Sequence, residues 1–263
     1  MSENKIQIKV YEPLKSFDIK TKILYKDLPK PSFRWVLIGS TGSGKTNLIK
    51  NIVFNFYKEY FDEIYIFIGS IDDKEEYERL SELTTFKKFN KKKGELYKSK
   101  KGYMSDKVKV MNNITLDQIE ELYNDIEEEQ STENKKIRTL FIFDDMITDN
   151  IFKRNMSLNV MDKLFVQGRH INLSVIISSQ KYTALNPNIR TQNSSHLTIF
   201  NGLTNKAIKE ISRENSGHID EETFENLYFD TTKERYSFLH INKFNPKNRK
   251  FQDKNFNYIN VSK

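Results

Sequence analysis

Residues 39–46 read Gly39-Ser40-Thr41-Gly42-Ser43-Gly44-Lys45-Thr46, the pattern G-x-x-x-x-G-K-T of a Walker A phosphate loop. Backbone N–H groups that crowd around a triphosphate leave no room for side chains, so glycines are needed at the turns. Lys45 supplies a mobile point charge for the β- and γ-phosphates, and the Thr46 hydroxyl is a ligand for Mg²⁺. Only nine glycines occur in 263 residues and three fall in this octet, which separates it from a glycine-rich turn that binds nothing. A second cluster is Thr139-Leu140-Phe141-Ile142-Phe143-Asp144-Asp145, where an apolar strand delivers acid at its C-terminal tip in Walker B fashion. Asp144 there would hold Mg²⁺, and Asp145 would polarise an attacking water as a general base. The third cluster is Ser178-Ser179-Gln180, where the neutral amide of Gln180 can orient that water or sense the γ-phosphate.

These groups need strands and helices to position them. The run Trp35-Val36-Leu37-Ile38 leads into the loop, and residues 47–60 read as the helix that turns its positive dipole end toward the phosphates. Residues 64–68 (Ile-Tyr-Ile-Phe-Ile) are apolar almost throughout, as expected of a strand covered on both faces. Further strands are expected at 108–111, 138–143, 173–178, 196–200 and 236–241, and helices at 72–83, 115–130, 158–167, 204–215 and 220–228. Thr115-Leu116-Asp117-Gln118 fits a capping box. One strand, 64–68, lies between the loop strand and the acidic strand, and a second acid follows Asp144. That combination marks the ATPase branch that adds a catalytic carboxylate (ASCE). No Asn-Lys-x-Asp guanine-reading motif occurs, which disfavours GTP.

The expected organisation is 1–32 as N-terminal lead-in strands, 33–241 as the nucleotide-binding α/β domain, and 242–263 as a basic tail. Lysines 87, 88, 91, 92, 93, 98, 100, 101 and 107, among Phe86, Phe89, Tyr97 and Tyr103, make a Lys-rich insertion at about 86–107. It reads as a DNA-facing loop or as a solvated insertion. A net charge of +7 suggests a polyanionic partner, most simply nucleic acid. Aromatic content of 13% argues against disorder, and the lack of cysteine removes disulfides and Cys-based zinc sites. The first residues show no secretory h-region, and no apolar run nears the roughly 18 residues that span a bilayer, so a soluble intracellular protein is expected.

The ordered set GSTGSGKT (39–46), FIFDD (141–145) and GRHINLSVIISSQ (168–180) resembles the FtsK–HerA superfamily of DNA-translocating ATPases. Within it the chain is most similar to the poxvirus-type genome-packaging ATPases of large DNA viruses and virophages, over roughly residues 33–200. The resemblance implies a RecA-like P-loop NTPase of the ASCE branch, a mainly parallel sheet flanked by helices with extra edge strands at both ends. It implies ATP and Mg²⁺ as cofactors, a homo-oligomeric ring, hexameric in the family, with double-stranded DNA through its centre, and capsid or portal partners without a membrane. The implied location is the cytoplasm of an infected host cell, in the viral factory, or the virion. Many members carry Glu where this chain has Asp145, one methylene shorter, which asks for a different water position. A ring ATPase also needs a cation from the neighbouring subunit. Arg169 is the first candidate, Arg190 the second and Arg154 the third, whereas His170 reads as structural. The implied function is ATP-driven translocation of duplex DNA into a capsid. The alternatives are a replicative helicase or initiator-type DNA-dependent ATPase, and a nucleotide-binding capsid-assembly module.

Overall fold

The computed structural model describes residues 27–89, 99–132, 137–146 and 160–261. Most of the lead-in segment, the centre of the Lys-rich insertion and Arg154 lie outside them.

A nine-stranded sheet runs through the molecule. Its strands are β1 (Arg34–Ile38), β2 (Glu63–Ile68), β5 (Val108–Asn112), β6 (Thr139–Asp144), β7 (Leu173–Ser179), β8 (His196–Phe200), β9 (Phe238–Asn242), β10 (Phe251–Gln252) and β11 (Tyr258–Ile259). The spatial order is β11-β10-β9-β8-β1-β7-β6-β2-β5. The six strands from β8 to β5 are parallel, and β9, β10 and β11 close one edge antiparallel. The helices are α1 (Lys45–Asn51, continued by a π-helical turn Ile52–Phe56), α2 (Ile71–Leu83), α3 (Leu116–Thr132), α4 (Val160–Val166), α5 (Asn205–Asn215) and α6 (Glu221–Thr231).

Strand residues alternate between two cores, as the two-residue period of a pleated strand requires. Trp35, Leu37, Leu140 and Ile142 pack with α1 and α2, whereas Val36, Ile38, Phe141 and Phe143 pack with α3, α4, α5 and α6. Burial on both faces is why these strands are apolar end to end. At the start of α3 the capping box forms: the Thr115 N–H donates to Gln118 Oε1 at 2.9 Å, and the Gln118 N–H to Thr115 Oγ1 at 3.3 Å.

Three features depart from the expected layout. The strand between β1 and β6 in the sheet is β7, which comes later in the chain, whereas residues 64–68 form β2 on the far side of β6. Order along the chain is not order across a sheet when right-handed crossovers join parallel strands. The Lys-rich insertion is not a plain loop: β3 (Thr85–Phe89) and β4 (Ser99–Tyr103) form a separate antiparallel ribbon. The segment expected as a basic tail is not a free tail: it carries β10 and β11, the extra edge strands expected at the C-terminal end. Gln252 anchors it, donating to Asp27 O at 3.1 Å and Phe256 O at 2.8 Å. Among the described residues no helix is long and apolar enough to cross a membrane.

Candidate functional site

Because β1, β7 and β6 are adjacent and parallel, their C-terminal tips bring the glycine loop, Gln180 and the acidic pair to one place. Gly39 donates its N–H to Ser179 O at 3.1 Å, which ties the loop to the tip of β7. A Cβ on Gly39 would lie 2.4 Å from Ser43 Oγ and 2.7 Å from Phe200 Cβ, so no side chain fits. Gly42 and Gly44 take φ of 73° and 108°, in the left-handed region that favours glycine. At Gly42 a Cβ would meet nothing within 4 Å, so the backbone there stands open to the cleft. Ser43 Oγ is buried and has no hydrogen-bond partner among the described residues. An orphaned hydroxyl inside a cradle of loop N–H groups suits the oxygens of a phosphate.

Lys45 is only 5% exposed and folds back on the loop, its Nζ donating to Gly39 O at 2.8 Å and Ser40 O at 3.1 Å. Burial lowers its pKa, and the carboxylates of Asp145 and Asp144 push it the other way.

Asp144 is 4% exposed and held by three hydroxyls. Ser178 Oγ donates to its Oδ1 at 2.7 Å, Tyr77 OH to its Oδ2 at 2.9 Å, and the Thr46 hydroxyl also hydrogen-bonds it. Burial raises the Asp144 pKa, and the three hydroxyls draw it back without cancelling the rise. Thr46 and Asp144 form an all-oxygen pair. Among the described residues no group of three or more His, Cys, Asp or Glu makes a protein-only cage. A hard cation that keeps its waters and binds phosphate needs only one or two protein oxygens, so the pair fits Mg²⁺.

Asp145 faces the cleft. Its φ of 55° turns it away from the strand direction, a conformation Asp tolerates better than most residues. Its N–H donates to Ser178 Oγ at 2.9 Å, and Gln180 Nε2 donates to its Oδ2 at 2.7 Å. Ser178 thus accepts from one aspartate and donates to the other, fixing their relative placement. The cleft has a volume of about 430 Å³ and is lined by Thr41 to Asn47, Asp73, Asp145 and Tyr236.

Residues 20–223 match the family model of the poxvirus A32 protein. The chain belongs to the poxvirus A32 protein family. No curated protein sequence matches this A32-family chain. Its fold is similar to that of B204, the DNA-packaging ATPase of Sulfolobus turreted icosahedral virus, at 19% identity and a TM-score of 0.59 over 85% of this chain and 97% of that one. The genome-packaging NTPase B204 of Sulfolobus turreted icosahedral virus 2, in complex with AMP, is similar at 21% identity and a TM-score of 0.59, over 86% and 98% of the two chains. The same NTPase with ATP-γS gives 19% identity and a TM-score of 0.58 over the same shares.

The A32-family chain gathers Gly39 to Thr46, Asp144, Asp145 and Gln180 at one cleft, but not the two described arginine candidates. Arg169 lies in a short turn, Gly168–Ile171, before β7, at the N-terminal end of the parallel strands and so at the opposite end from the cleft, with its Nε 3.4 Å from Nε2 of the exposed His170. Arg190 is engaged within its own chain. Its Nε and Nη2 donate to Glu214 at 3.0 and 2.7 Å, and its Nη1 donates to Leu185 O at 2.9 Å. Tyr77, Ser178 and Tyr236 are site residues that motif reading passes over. Only Ser178 left a signal, as a polar residue at the tip of an apolar strand.

Proposed function

We propose that this chain is an ATP-driven motor that moves double-stranded DNA into a viral capsid. The observation that carries this reading is the meeting of phosphate loop, Asp144, Asp145 and Gln180 on three adjacent strand tips, in a chain of the A32 family. Similarity in fold to viral genome-packaging ATPases supports it.

In the proposed cycle Lys45 leaves the carbonyls of Gly39 and Ser40 for the β- and γ-phosphates of ATP. Thr46 and Asp144 would hold Mg²⁺, which offsets the negative charge of the triphosphate when bound. Gln180 holds Asp145 Oδ2, leaving Oδ1 to take the proton of the attacking water. The water oxygen bonds to the γ-phosphorus, the bond to the β–γ bridging oxygen breaks, and ADP leaves. Ser178 keeps the base and the metal ligand in register throughout.

Arg169 stands the length of β7 away from its own cleft, on the order of 20 Å at about 3.3 Å per residue. That separation keeps it from its own cleft and supports a role at the γ-phosphate of a neighbouring subunit, in a closed ring, hexameric as in the family it resembles. Arg190, spent on Glu214 and Leu185, anchors residues 185–190 to α5 instead.

Charge distribution supports the choice of DNA. Between Thr84 and Tyr103 there are eight lysines and one glutamate, a charge of +7 that equals that of the whole chain; the remaining 35 basic and 35 acidic residues balance. The ribbon register sets Lys87 opposite Lys101 and Lys88 opposite Lys100. Displacement of a third strand from a triplex-bearing duplex tests the motor: ATP-dependent displacement from blunt duplex is expected. Strand separation with a preference for single strands would instead establish a helicase.

A further inference from the structure

The rim of the cleft carries an aromatic ring that the hydrolytic residues leave unused. Tyr236 lies between α6 and β9, and the pairing of Phe200 with Phe238 brings this turn beside the phosphate loop, at the C-terminal end of the parallel strands. The ring reaches the loop itself: a Cβ built on Gly44 would lie 3.4 Å from Tyr236 Cδ1. Tyr236 lines the cleft yet remains 43% exposed. Its φ of 65° is in the left-handed region, an outlier for a bulky residue, and such strain persists only where surrounding structure enforces it. Here Asn201 does so, its N–H donating to Ser237 O at 3.1 Å and its side chain to Thr232 O and Glu234 O. The Lys254–Glu234 ion pair ties the same turn to the segment between β10 and β11. The Arg235 guanidinium rests on the ring, with Cζ 4.6 Å from its centroid. Hydroxyls and carboxylates occupy the β6–β7 side of the cleft, where the γ-phosphate belongs beside Asp145 and Gln180. The β8–β9 side, where the rest of the nucleotide would then extend, offers the partly exposed aromatic side chain of Tyr236.

We propose that Tyr236 is the stacking platform for the nucleobase, held ready by a strained turn and braced by Arg235. This rests on the phosphate-loop reading of the cleft. A base stacked on an aromatic ring accounts for roughly 5- to 150-fold in affinity. Glycine adopts φ of 65° without strain, so Tyr236→Gly removes the ring while preserving the fold.

The test measures the Kd of ATP and of inorganic tripolyphosphate by calorimetry for wild type, Tyr236→Gly, Tyr236→Phe and Lys45→Ala, with the melting temperature of each. Expected are weakening of ATP by about 5- to 150-fold in Tyr236→Gly, unchanged tripolyphosphate binding, wild-type behaviour in Tyr236→Phe, and a melting temperature for Tyr236→Gly close to wild type, since relief of the left-handed strain offsets the greater unfolded-state freedom of glycine. Unchanged ATP affinity in Tyr236→Gly overturns the proposal. Equal loss of ATP and tripolyphosphate also overturns it, since the ring would then only prop the loop. Full tripolyphosphate binding by Lys45→Ala overturns the phosphate-loop reading, and the platform with it.

Discussion

Two aspartates one residue apart in sequence live in different environments. Asp144 is buried beneath Ser178, Tyr77 and Thr46, while Asp145 turns into the cleft and, among the described residues, is hydrogen-bonded by Gln180 and bonds the hydroxyl of Ser178. Buried oxygen next to Thr46 suits a metal ligand, and a carboxylate with one free oxygen facing the cleft suits a base. Asp145→Asn should therefore keep ATP affinity within about threefold and lower kcat by roughly 10²–10⁴-fold, the usual contribution of a positioned base. Filter binding and steady-state hydrolysis separate the two effects, and loss of binding without loss of kcat would reverse the assignment. At this scale the sequence was informative where chemistry is encoded by contiguous residues, as in Gly39 to Thr46 and in Asp144-Asp145. It was silent on Tyr77 and Tyr236, whose roles come from contacts with residues distant along the chain. Tyr77 reads as an ordinary apolar position of α2 until β6 is placed beside it.

Elements that bury both faces were legible because burial writes an apolar run. β1, β2, β6, β7 and β8 all show one, each ended by Gly, Asp, Ser or Asn within a residue or two. The β3–β4 ribbon was not, because its strands carry lysines where alternation would place apolar residues. β10 and β11 are two residues each, too short for any period to register. The position of β7 between β1 and β6 was also hidden, since it depends on crossovers and not on composition. If the ribbon binds DNA, exchanging Lys87, Lys88, Lys100 and Lys101 for Gln should weaken duplex binding for every sequence alike. It should also reduce the slope of log K against log salt by up to about 3.6, near 0.9 for each phosphate that no longer meets a lysine. An unchanged slope would place the DNA-binding surface elsewhere.

Across the whole molecule, the antiparallel edge joins the parallel sheet over a buried polar cluster. Trp35 Nε1 donates to Thr198 Oγ1 at 2.8 Å, and Thr198 Oγ1 lies 2.8 Å from His240 Nδ1. The rings of His240 and His196 stack, and Nε2 of each is buried without a hydrogen-bond partner among the described residues. Burial, with Arg34 and Lys243 nearby, pushes the His196 pKa down to about 3, and burial pushes His240 well below its ordinary value. Both folded-state values lie below the unfolded value near 6.5, so the unfolded chain takes up protons first. Stability should be complete above about pH 6.5 and fall below it by up to about 1.4 kcal/mol per pH unit for each histidine. Urea midpoints at pH 7.5 and 5.5 check this, with the His196→Asn/His240→Asn variant showing a shallower fall. Assembly gives a second expectation at this scale. Arg169→Ala and Lys45→Ala subunits, each inactive alone, should regain hydrolysis when mixed, because an intact cleft then meets an intact arginine. Mixtures that stay inactive would remove Arg169 from the shared site.

The central claim is that ATP hydrolysis at the Gly39–Thr46 cleft drives a duplex-DNA motor. Steady-state ATP turnover of wild type and Lys45→Ala, each with and without blunt duplex DNA, tests it most directly. Wild-type turnover should rise several-fold on adding duplex, and Lys45→Ala should be inactive in both conditions. Full turnover in Lys45→Ala, or a wild-type rate indifferent to duplex, would contradict the claim.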